Sequence, residues 1–227
     1  MRDLTTDGLV AGWPGGPDVL PGLTTHVDAD GGWLVVRGPS GSGKSTFLAV
    51  LLAALRPRAG GYALGGVPTL RLTGEGVRSR IAWLPQEAHV FASSIRANLA
   101  LAAPRGELAG RDGEARMRAA PAAAGLGGLL AGLPEGLDTP VGAGGTALSG
   151  GERRRLAAAR ALLADRDVVL LDEPTAHLDP PTAAALLHDL RAALAGRVVV
   201  CVTHDDTVEQ RGDTVVRLGT PVPALAS

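Results

Sequence analysis

The stretch GPSGSGKS, from Gly38 to Ser45, fits the pattern G-x-x-x-x-G-K-[ST] without a mismatch. It follows a short apolar run, Trp33–Val36, and leads into Lys44–Leu55, a run of helical length and composition. Glycines here let backbone N–H groups turn inward, and the helix that starts near Lys44 directs its positive end at the same point. A strand, a glycine-rich turn and a helix in this order predict a phosphate-binding loop. The alternative interpretation is an ordinary glycine-rich turn.

Lys44 is the only lysine among the 22 lysines and arginines of the chain. An arginine is a wide planar fork, whereas a lysine is a compact charge on a slim stem, which suits the space between the β- and γ-phosphates inside a tight glycine ring. We therefore expect that arginine cannot replace Lys44. The hydroxyl of Ser45 is predicted to contact Mg²⁺. The residues predicted to surround the phosphates are Gly38, Pro39, Ser40, Gly41, Ser42, Gly43, Lys44, Ser45 and Thr46.

A second acidic motif, DVVLLDEP, spans Asp167–Pro174. Its apolar run predicts a strand that delivers Asp172 to its end, where a carboxylate can hold Mg²⁺ through water. Glu173 follows directly and is placed to polarise the water that attacks a γ-phosphate. The alternative is a buried strand that ends in a solvated acidic turn. Together with the phosphate loop, the motif favours a nucleoside-triphosphate site.

Continuous apolar runs recur at Ile81–Leu84, Val168–Leu171, Val198–Val202 and Thr214–Leu218, separated by helical patterns. Uninterrupted apolar strands are typical of a parallel sheet that is buried on both faces. Between residues 87 and 164 the strand signal is weak, which predicts a mainly helical insertion. We therefore expect one α/β domain over residues 1–227, with a core formed by 1–86 and 165–227 and a helical subdomain at 87–164.

Composition limits the classes of function. The net charge of −1 gives no indication of a strongly basic nucleic-acid-binding face, although a local patch stays open. No signal peptide and no membrane-spanning run is expected, so any membrane role would come through a partner or through a part of the protein outside this chain. The single cysteine excludes an intrachain disulfide, which suits a reducing compartment.

Several single residues allow bland interpretations. Cys201 lies in the run VVVCV, which predicts a small buried core residue. Trp33 and Trp83 lie in predicted core strands, and we expect both to serve packing. The triplet Arg153–Arg155 predicts a solvated helix face with salt bridges, and the alternative is a patch for nucleic acid.

The stretch LSGGERRRLAAARALL, Leu148–Leu163, places Ser149, Gly150 and Gly151 at the start of a predicted helix. Free N–H groups at a positive helix end form a second anion site. One triphosphate does not need two such sites from one chain. The simplest interpretation is that the second site serves the nucleotide of a neighbouring subunit.

At this point the sequence resembles, over essentially its whole length, the nucleotide-binding domain of ABC transporters. LSGGE is similar to the family's signature motif, with Glu152 at the position where the family usually has Gln. The resemblance implies that Gln86 senses Mg²⁺ and water and faces the membrane partner. It implies that Asp179, in AHLD, lies at the dimer interface and that His204 contacts the γ-phosphate. Trp13 stands where the family places an aromatic ring against adenine.

Two of these assignments keep an alternative from the residues themselves. His204 could be an ordinary histidine at the end of a strand, and Trp13 could be a core residue with its N–H satisfied. The resemblance further implies a P-loop NTPase (RecA-like) core with a mainly parallel sheet, an N-terminal antiparallel β portion and an inserted helical subdomain.

The resemblance also implies a function. ATP and Mg²⁺ would bind between two nucleotide-binding domains in a head-to-tail dimer, homomeric or heteromeric, and hydrolysis would drive a transmembrane partner at the cytoplasmic face of the plasma membrane. No nucleic acid partner is expected. Glu173, His204, Gln86 and Lys44 would be the catalytic residues, and Ser45, Gln86 and Asp172 the metal-binding ones.

The stretches His89–Ala102 and Leu133–Glu152 resemble exporter-type domains. Among exporter-type domains, the stretches Gly12–Leu20, Glu87–Leu99 and Leu170–Asp179 are similar to the CydC half of CydDC-type thiol exporters, which implies export of cysteine or glutathione. Exporter domains usually follow six membrane helices, so this chain would be either a piece of a fused exporter or a separate subunit. The alternatives are a DNA-repair or chromosome-type ABC ATPase, a translation-type ABC protein and a non-hydrolysing regulatory module.

Overall fold

The computed structural model of the chain describes residues 2–87, 89–104, 106–142 and 145–219. These residues form two compact units, one within 1–82, 166–173 and 196–227 and the other within 83–165 and 174–195. The sequence analysis assigned residues 174–195 to the core. Compact packing units do not test that division, so the domain boundaries stay a prediction.

Strands and helices alternate along the chain. The strands are β1 (Asp3–Ala11), β2 (Leu20–Asp28), β3 (Trp33–Arg37), β4 (Ala59–Leu64), β5 (Val67–Pro68), β6 (Ile81–Leu84), β7 (Val168–Asp172), β8 (Val198–Thr203) and β9 (Thr214–Arg217). The helices are α1 (Lys44–Leu51), α2 (Gly74–Arg78), α3 (Ile95–Ala100), α4 (Gly110–Pro121), α5 (Gly127–Gly132), α6 (Gly150–Leu163) and α7 (Pro180–Ala193). Short 3₁₀ turns lie at Thr69–Arg71, Gly136–Asp138 and Asp206–Val208, and a π-type turn at Ala122–Leu126.

Two sheets account for the strands. An antiparallel sheet has the order β2-β1-β4-β5, and a second sheet has the order β6-β7-β8-β3-β9. In the second sheet β7 with β8, β8 with β3 and β3 with β9 run parallel. This mixed α/β architecture confirms the predicted fold class, including its antiparallel N-terminal portion.

The register of the parallel strands brings three loops to one edge. Asp172 of β7 pairs with Val202 of β8, and Arg37 of β3 pairs with Thr203 of β8. The residues that follow these strand ends therefore meet at the same place. The carboxyl edge of a parallel sheet is where ligands bind in open α/β folds.

The core of the first unit is mainly aliphatic. Phe47 and Leu51 of α1 are fully buried with the inward side chains of both sheets, among them Leu34 and Val202. Burial of this kind stabilises by about 25 cal/mol for each Å² of apolar surface removed from water. Cys201 of β8 is fully buried, as predicted. The phosphate-loop helix thus starts at the sheet edge and lies against the core.

The second unit is mainly helical. Its helix α6 packs against α3, α4 and the turn Ala122–Leu126, and Leu156 of α6 is fully buried. Arg155 of α6 forms an ion pair with Asp189 of α7 at 2.5 Å. Within the described ranges, none of the helices combines the length and the apolar character that crossing a membrane requires.

The two tryptophans that were expected to serve packing differ. Trp33 is buried, whereas Trp83 is 46% exposed, so the prediction for Trp83 is wrong. Trp83 lies on β6, the edge strand of its sheet, where a side chain has a neighbouring strand on one side only. A short apolar run does not distinguish an edge strand from a central one.

Candidate nucleotide-binding site

The phosphate loop ends in a helix whose first turn has no side-chain cap. Gly43 is the N-cap of α1 in the left-handed conformation, with φ 101°, and no described side chain accepts from the first turn. A Cβ on Gly43 would also lie 2.9 Å from the carbonyl oxygen of Val19. Glycine is therefore required, and the first N–H groups of α1 point out of the helix end, where they can bind an anion.

Lys44 folds back over its own loop. Its Nζ donates to the carbonyl oxygen of Gly38 at 2.6 Å and to that of Pro39 at 3.2 Å. A Cβ on Gly38 would lie 2.8 Å from the carbonyl oxygen of Leu218 and would overlap the hydroxyl of Ser42. The buried Ser42 hydroxyl has no hydrogen-bond partner among the described residues. This close-packed cradle with a lysine at its mouth has the form that a triphosphate requires.

Glu173 is the most confined acidic side chain at this edge. It follows the end of β7, has a positive φ of 46°, and its amide donates to the carbonyl oxygen of Val202 at 2.9 Å. The side chain is only 7% exposed, and Oε1 lies 3.7 Å from Nζ of Lys44. A non-glycine residue in this backbone region is uncommon and is concentrated at functional sites. The fold therefore holds the carboxylate beside the phosphate loop.

Three donors converge on the other oxygen of Glu173. Oε2 accepts from the Thr203 hydroxyl and from the His204 amide, each at 3.2 Å, and lies 2.9 Å from Nδ1 of His204. The structure thus brings together Lys44, Glu173 and His204, which the sequence analysis singled out separately. Thr203 was missed, although its place as the last residue of β8, directly before His204, could have indicated it.

Two of the three predicted metal-binding residues belong to the first unit and one to the second. Ser45 is exposed on the first turn of α1, Asp172 ends β7, and Gln86 is exposed after β6. In the part of the chain that the structure describes, no group of three or more His, Cys, Asp and Glu side chains could hold a metal ion. Mg²⁺ commonly takes one or two carboxylates together with waters and substrate phosphates. The Asp172 carboxylate and the Ser45 hydroxyl, both in the first unit, are of the ligand types that fit that mode of binding.

Trp13 projects from the loop between β1 and β2. The residue is 52% exposed, so it is not a core residue, which was the alternative interpretation. Arg58 holds the loop, since its guanidinium donates to the carbonyl oxygens of Trp13 and Gly16, both at 2.8 Å, and pairs with Asp18 at 2.7 Å. The same loop continues to Val19, which lies against Gly43 of the phosphate loop. Trp13 is therefore an exposed aromatic ring on an ordered loop beside the cradle.

In the second unit, Ser149 caps α6. Its hydroxyl accepts from the amide of Glu152 at 3.2 Å, and the carboxylate of Glu152 accepts from the amide of Ser149 at 2.7 Å. This reciprocal capping box is a stable way to start a helix. Gly150 and Gly151 form the first turn. Glu152, at the position where the related family usually has Gln, therefore fixes the start of α6.

The start of α7 lies beside the start of α6. Asp179 caps α7 through the amide of Thr182 at 3.0 Å, and a Cβ on Gly151 would lie 3.2 Å from the Thr182 methyl group. The hydrogen bonds from Thr182 hold the pKa of Asp179 below its usual range. Within this unit, the predicted interface residues Gly151 and Asp179 therefore lie in one region. Gly151 belongs to the first turn of α6, and Asp179 is the ionised N-cap of α7.

The arginine triplet is not the solvated face that was predicted. Arg154 is only 4% exposed, and its Nη1 donates to the carbonyl oxygens of Pro85 and Gln86, at 2.9 and 2.5 Å. Arg155 donates to the carbonyl oxygen of Ala124 at 2.8 Å and pairs with a carboxylate of α7. The predicted solvation is wrong for Arg154, whose acceptors are backbone carbonyls that leave no trace in side-chain patterns, whereas the ion pair of Arg155 with Asp189 agrees with the predicted salt bridges.

With this geometry established, comparisons with known proteins identify the family. The family model described as ABC transporter matches residues 25–176. A second model, described as AAA domain, putative AbiEii toxin, Type IV TA system, matches residues 145–208 only. The first match covers more than half of the chain and includes the phosphate loop, the acidic strand end and the start of α6.

Individual relatives agree with the family match. The chain is 33% identical over 95% of its length to an ATM1-type heavy metal exporter of Novosphingobium aromaticivorans, covering 34% of that protein. It is 37% identical over 82% of its length to the glutathione/L-cysteine transport system ATP-binding/permease protein CydD of Bacillus subtilis, covering 31% of that protein. The chain thus spans about a third of the length of these curated relatives.

A solved structure matches as well. The structure of a bacterial Atm1-family ABC exporter with ATP bound superimposes with a TM-score of 0.83 and 31% sequence identity, over 96% of this chain and 37% of that one. Sequence and structure comparisons therefore agree on one conclusion. The chain belongs to the ABC transporter family, as an ATP-binding domain of the ATPase type whose relatives are exporters.

Proposed function

We propose that this chain binds and hydrolyses ATP to drive a membrane exporter, and that two such domains close around ATP. The observation that carries the proposal is the carboxylate of Glu173, which is held between Lys44 and His204 at the carboxyl edge of the parallel sheet. A carboxylate needs this position beside a phosphate cradle to act on the water that attacks the terminal phosphate. The exporter relatives support the choice of transport as the process that is driven.

The phosphate-binding part follows from the first unit. The first N–H groups of α1 and Nζ of Lys44 would donate to the β- and γ-phosphate oxygens, because they are the donors that converge at the loop. Ser45, Asp172 and Gln86 would hold Mg²⁺, which offsets the charge that develops on the phosphates. Glu173 would orient the attacking water, and His204 would contact the γ-phosphate.

Trp13 would stack on adenine. The ring is exposed on a loop that Arg58 fixes and that touches the phosphate loop at Gly43. Stacking on an ordered aromatic ring contributes affinity for the base without selecting for hydrolysis. This role therefore predicts effects on ATP affinity and little effect on the hydrolytic step.

The dimer accounts for the second anion site. The first turn of α6, with Ser149, Gly150 and Gly151, presents N–H groups at a capped helix start, and Asp179 lies next to it. We propose that this surface meets the nucleotide held by a partner domain, in a two-fold arrangement in which each subunit completes the other's site. ATP would then hold the two domains together until hydrolysis releases them.

The transported molecule is proposed from the relatives alone. CydD of Bacillus subtilis, a glutathione/L-cysteine transport protein, is one of several exporter relatives. We propose a thiol such as cysteine or glutathione as the cargo and the cytoplasmic face of the plasma membrane as the location. ATP-dependent uptake of labelled glutathione into inverted vesicles that contain the complete transporter tests this, and uptake that persists with Lys44→Ala would contradict it.

The ATPase proposal is tested with the chain itself. Phosphate release should require both ATP and Mg²⁺, and the rate per molecule should rise with protein concentration because two domains form each site. Duplex DNA in the assay should leave the rate unchanged. A rate per molecule that is independent of concentration would contradict the shared site, and strong stimulation by DNA would favour a DNA-repair or chromosome-type ATPase.

A further inference from the structure

Arg37 is a charged residue at the end of the central strand of the parallel sheet. It is the last residue of β3, directly before Gly38, and its register partners are Thr203 of β8 and Arg217 of β9. Register partners in parallel strands direct their side chains to the same face. The Arg37 side chain is only 20% exposed. An arginine this confined, one residue before the phosphate loop, requires partners.

Those partners come from the segment that follows His204. The guanidinium forms an ion pair with Asp206, the first residue of the 3₁₀ turn Asp206–Val208, and Nη1 donates to Oε2 of Glu209 at 3.3 Å. One planar guanidinium therefore joins the carboxylate of the first residue of this turn to that of the residue directly after it. A fork with several donors suits this task, whereas a lysine ammonium would reach one carboxylate at a time.

The other end of the same segment contacts the proposed catalytic carboxylate. The His204 amide donates to Oε2 of Glu173 at 3.2 Å, and the Asp205 amide donates to the Thr203 hydroxyl at 3.0 Å. The Thr203 hydroxyl in turn donates to the same oxygen of Glu173. Residues 204–209 are thus held by Glu173 and Thr203 at one end and by Arg37 at the other.

Arg217 provides an internal comparison. It lies 3.5 Å from the same oxygen of Glu209, but its side chain is 67% exposed. Water screens an ion pair between exposed groups, so the pair of Arg217 with Glu209 contributes little, whereas both side chains of the Arg37–Glu209 pair are mostly buried, at 20% and 32% exposure. Arg37 and Arg217 therefore share Glu209 as an acidic partner, but Arg37 can hold the Glu209 side chain more firmly.

We propose that Arg37 is a positioning residue for hydrolysis: it fixes the turn after His204 to the strand that carries the phosphate loop, and so sets where His204 lies against Glu173. It acts through Asp206 and Glu209, the two carboxylates that its guanidinium contacts. Loss of Arg37 therefore lowers kcat and leaves ATP affinity nearly unchanged. The catalytic part of this proposal rests on the proposed function.

The first test is kinetic. We expect Arg37→Met to lower kcat about five- to tenfold while the Kd for ATP changes less than about twofold, since a small displacement of one group lowers the rate of the chemical step. Arg37→Lys should give an intermediate kcat. Arg217→Met, the matched control, should change kcat by less than about twofold. Equal losses of kcat and ATP affinity in Arg37→Met would overturn the proposal.

A double-mutant cycle identifies the path of the effect. The pair Asp206→Ala and Glu209→Ala removes the acceptors of Arg37 and should lower kcat as much as Arg37→Met does. Adding Arg37→Met to that pair should then cause no further loss, because the residues act as one unit. If the combined variant instead showed the product of the two separate reductions in kcat, Arg37 would act through other contacts, and the proposal would be overturned.

Hydrogen exchange tests the structural half without any hydrolysis. Arg37→Met should raise amide exchange in residues 204–209, with the helices α1 and α6 unchanged. Unchanged exchange in 204–209 would overturn the positioning role. If the wild-type chain binds ATP but releases no phosphate, the proposed function fails and the catalytic half of this inference fails with it, while the exchange result still decides whether Arg37 fixes the turn.

Discussion

Nδ1 of His204 lies 2.9 Å from Oε2 of Glu173, on the carboxylate whose other oxygen lies 3.7 Å from Nζ of Lys44. Both oxygens of Glu173 are therefore oriented by residues from two different loops. A side chain held in this way loses little freedom when substrate arrives, which is the condition for an effective general base. Three residues that are far apart in sequence thus form one geometric unit.

Removing the charge of Glu173 should separate binding from hydrolysis. Glu173→Gln keeps the shape of the side chain, but an amide does not activate water, so phosphate release should fall by at least about 100-fold. The Kd for ATP, measured by calorimetry, should change by less than about threefold, or about 0.7 kcal/mol. ATP should also hold the variant as a dimer in sedimentation. Glu75→Gln, an exposed substitution on α2, is the control and should behave as wild type. Hydrolysis at the wild-type rate would remove Glu173 from its proposed role.

Lys44 should not tolerate arginine. Its Nζ lies within hydrogen-bonding distance of two loop carbonyls, and a guanidinium there would displace the backbone donors of the loop. Both Lys44→Ala and Lys44→Arg should weaken ATP binding at least about tenfold, equivalent to about 1.4 kcal/mol. The exposed exchange Arg78→Lys should leave binding unchanged. Near-normal binding by Lys44→Arg would disprove this explanation of the single lysine.

Arg58 should affect the binding of the adenine base of ATP and not the binding of its phosphates. Without the Arg58 guanidinium, the Trp13 loop loses three hydrogen bonds. The loop must then become ordered when ATP binds, which lowers the affinity for ATP. Arg58→Ala should therefore raise the Kd for ATP about three- to tenfold. Binding of inorganic tripolyphosphate should not change. Arg56→Ala, an exposed neighbour, is the control. Equal weakening for ATP and tripolyphosphate would argue against adenine stacking.

Tyr62 offers a pH-dependent signal. Burial raises the pKa of its phenol to about 12, and its hydroxyl donates to the carbonyl oxygen of Leu51 at 3.0 Å. Tyr62 is the only tyrosine, so absorbance near 295 nm reports it alone. In the folded chain the midpoint should lie near 12, and in urea near the ordinary value of about 10.

The sign of the linked stability effect follows from the raised pKa. Between the unfolded and folded pKa values the unfolded chain has lost the phenolic proton and the folded chain keeps it, so stability falls as the pH rises through that window. Tyr62→Phe should remove this part of the alkaline loss of stability. A folded midpoint at the unfolded value would contradict the burial of the phenol.

The buried Arg154 should contribute more to the free energy of unfolding than an exposed arginine does. Arg154→Met leaves the partly buried carbonyls of Pro85 and Gln86 without this donor, which should cost about 1–3 kcal/mol in urea unfolding. Arg111→Met, at an exposed position of α4, should stay within about 0.5 kcal/mol of wild type. Equal stabilities for the two variants would contradict the buried role of Arg154.

Sequence analysis predicted those parts of the molecule whose structure depends on residues that are adjacent in the chain. The phosphate loop, the strand that ends at Asp172 and the helix that starts after Ser149 are local motifs, so their secondary structure followed from spacing and composition. Family and fold class were confirmed. The roles of the individual site residues stay predictions, because geometry alone does not demonstrate chemistry.

The contacts that sequence analysis missed are made across long separations. Arg58 reaches carbonyls more than 40 residues away, and Arg154 donates to carbonyls of a loop 68 and 69 residues before it. Main-chain acceptors look the same in every sequence, so no residue pattern indicates them. The exposure of Trp83 depends on the order of strands in the sheet, which a single apolar run does not contain.

The burial of Cys201 has a practical consequence. The chain has one cysteine, and it lies fully buried in the centre of the parallel sheet. A thiol reagent needs an accessible, ionisable sulfur, which the folded sheet withholds. A cysteine introduced on the surface would therefore be the single reactive thiol of the native chain. Fluorescent or spin labels could then be attached at chosen positions in the otherwise natural sequence.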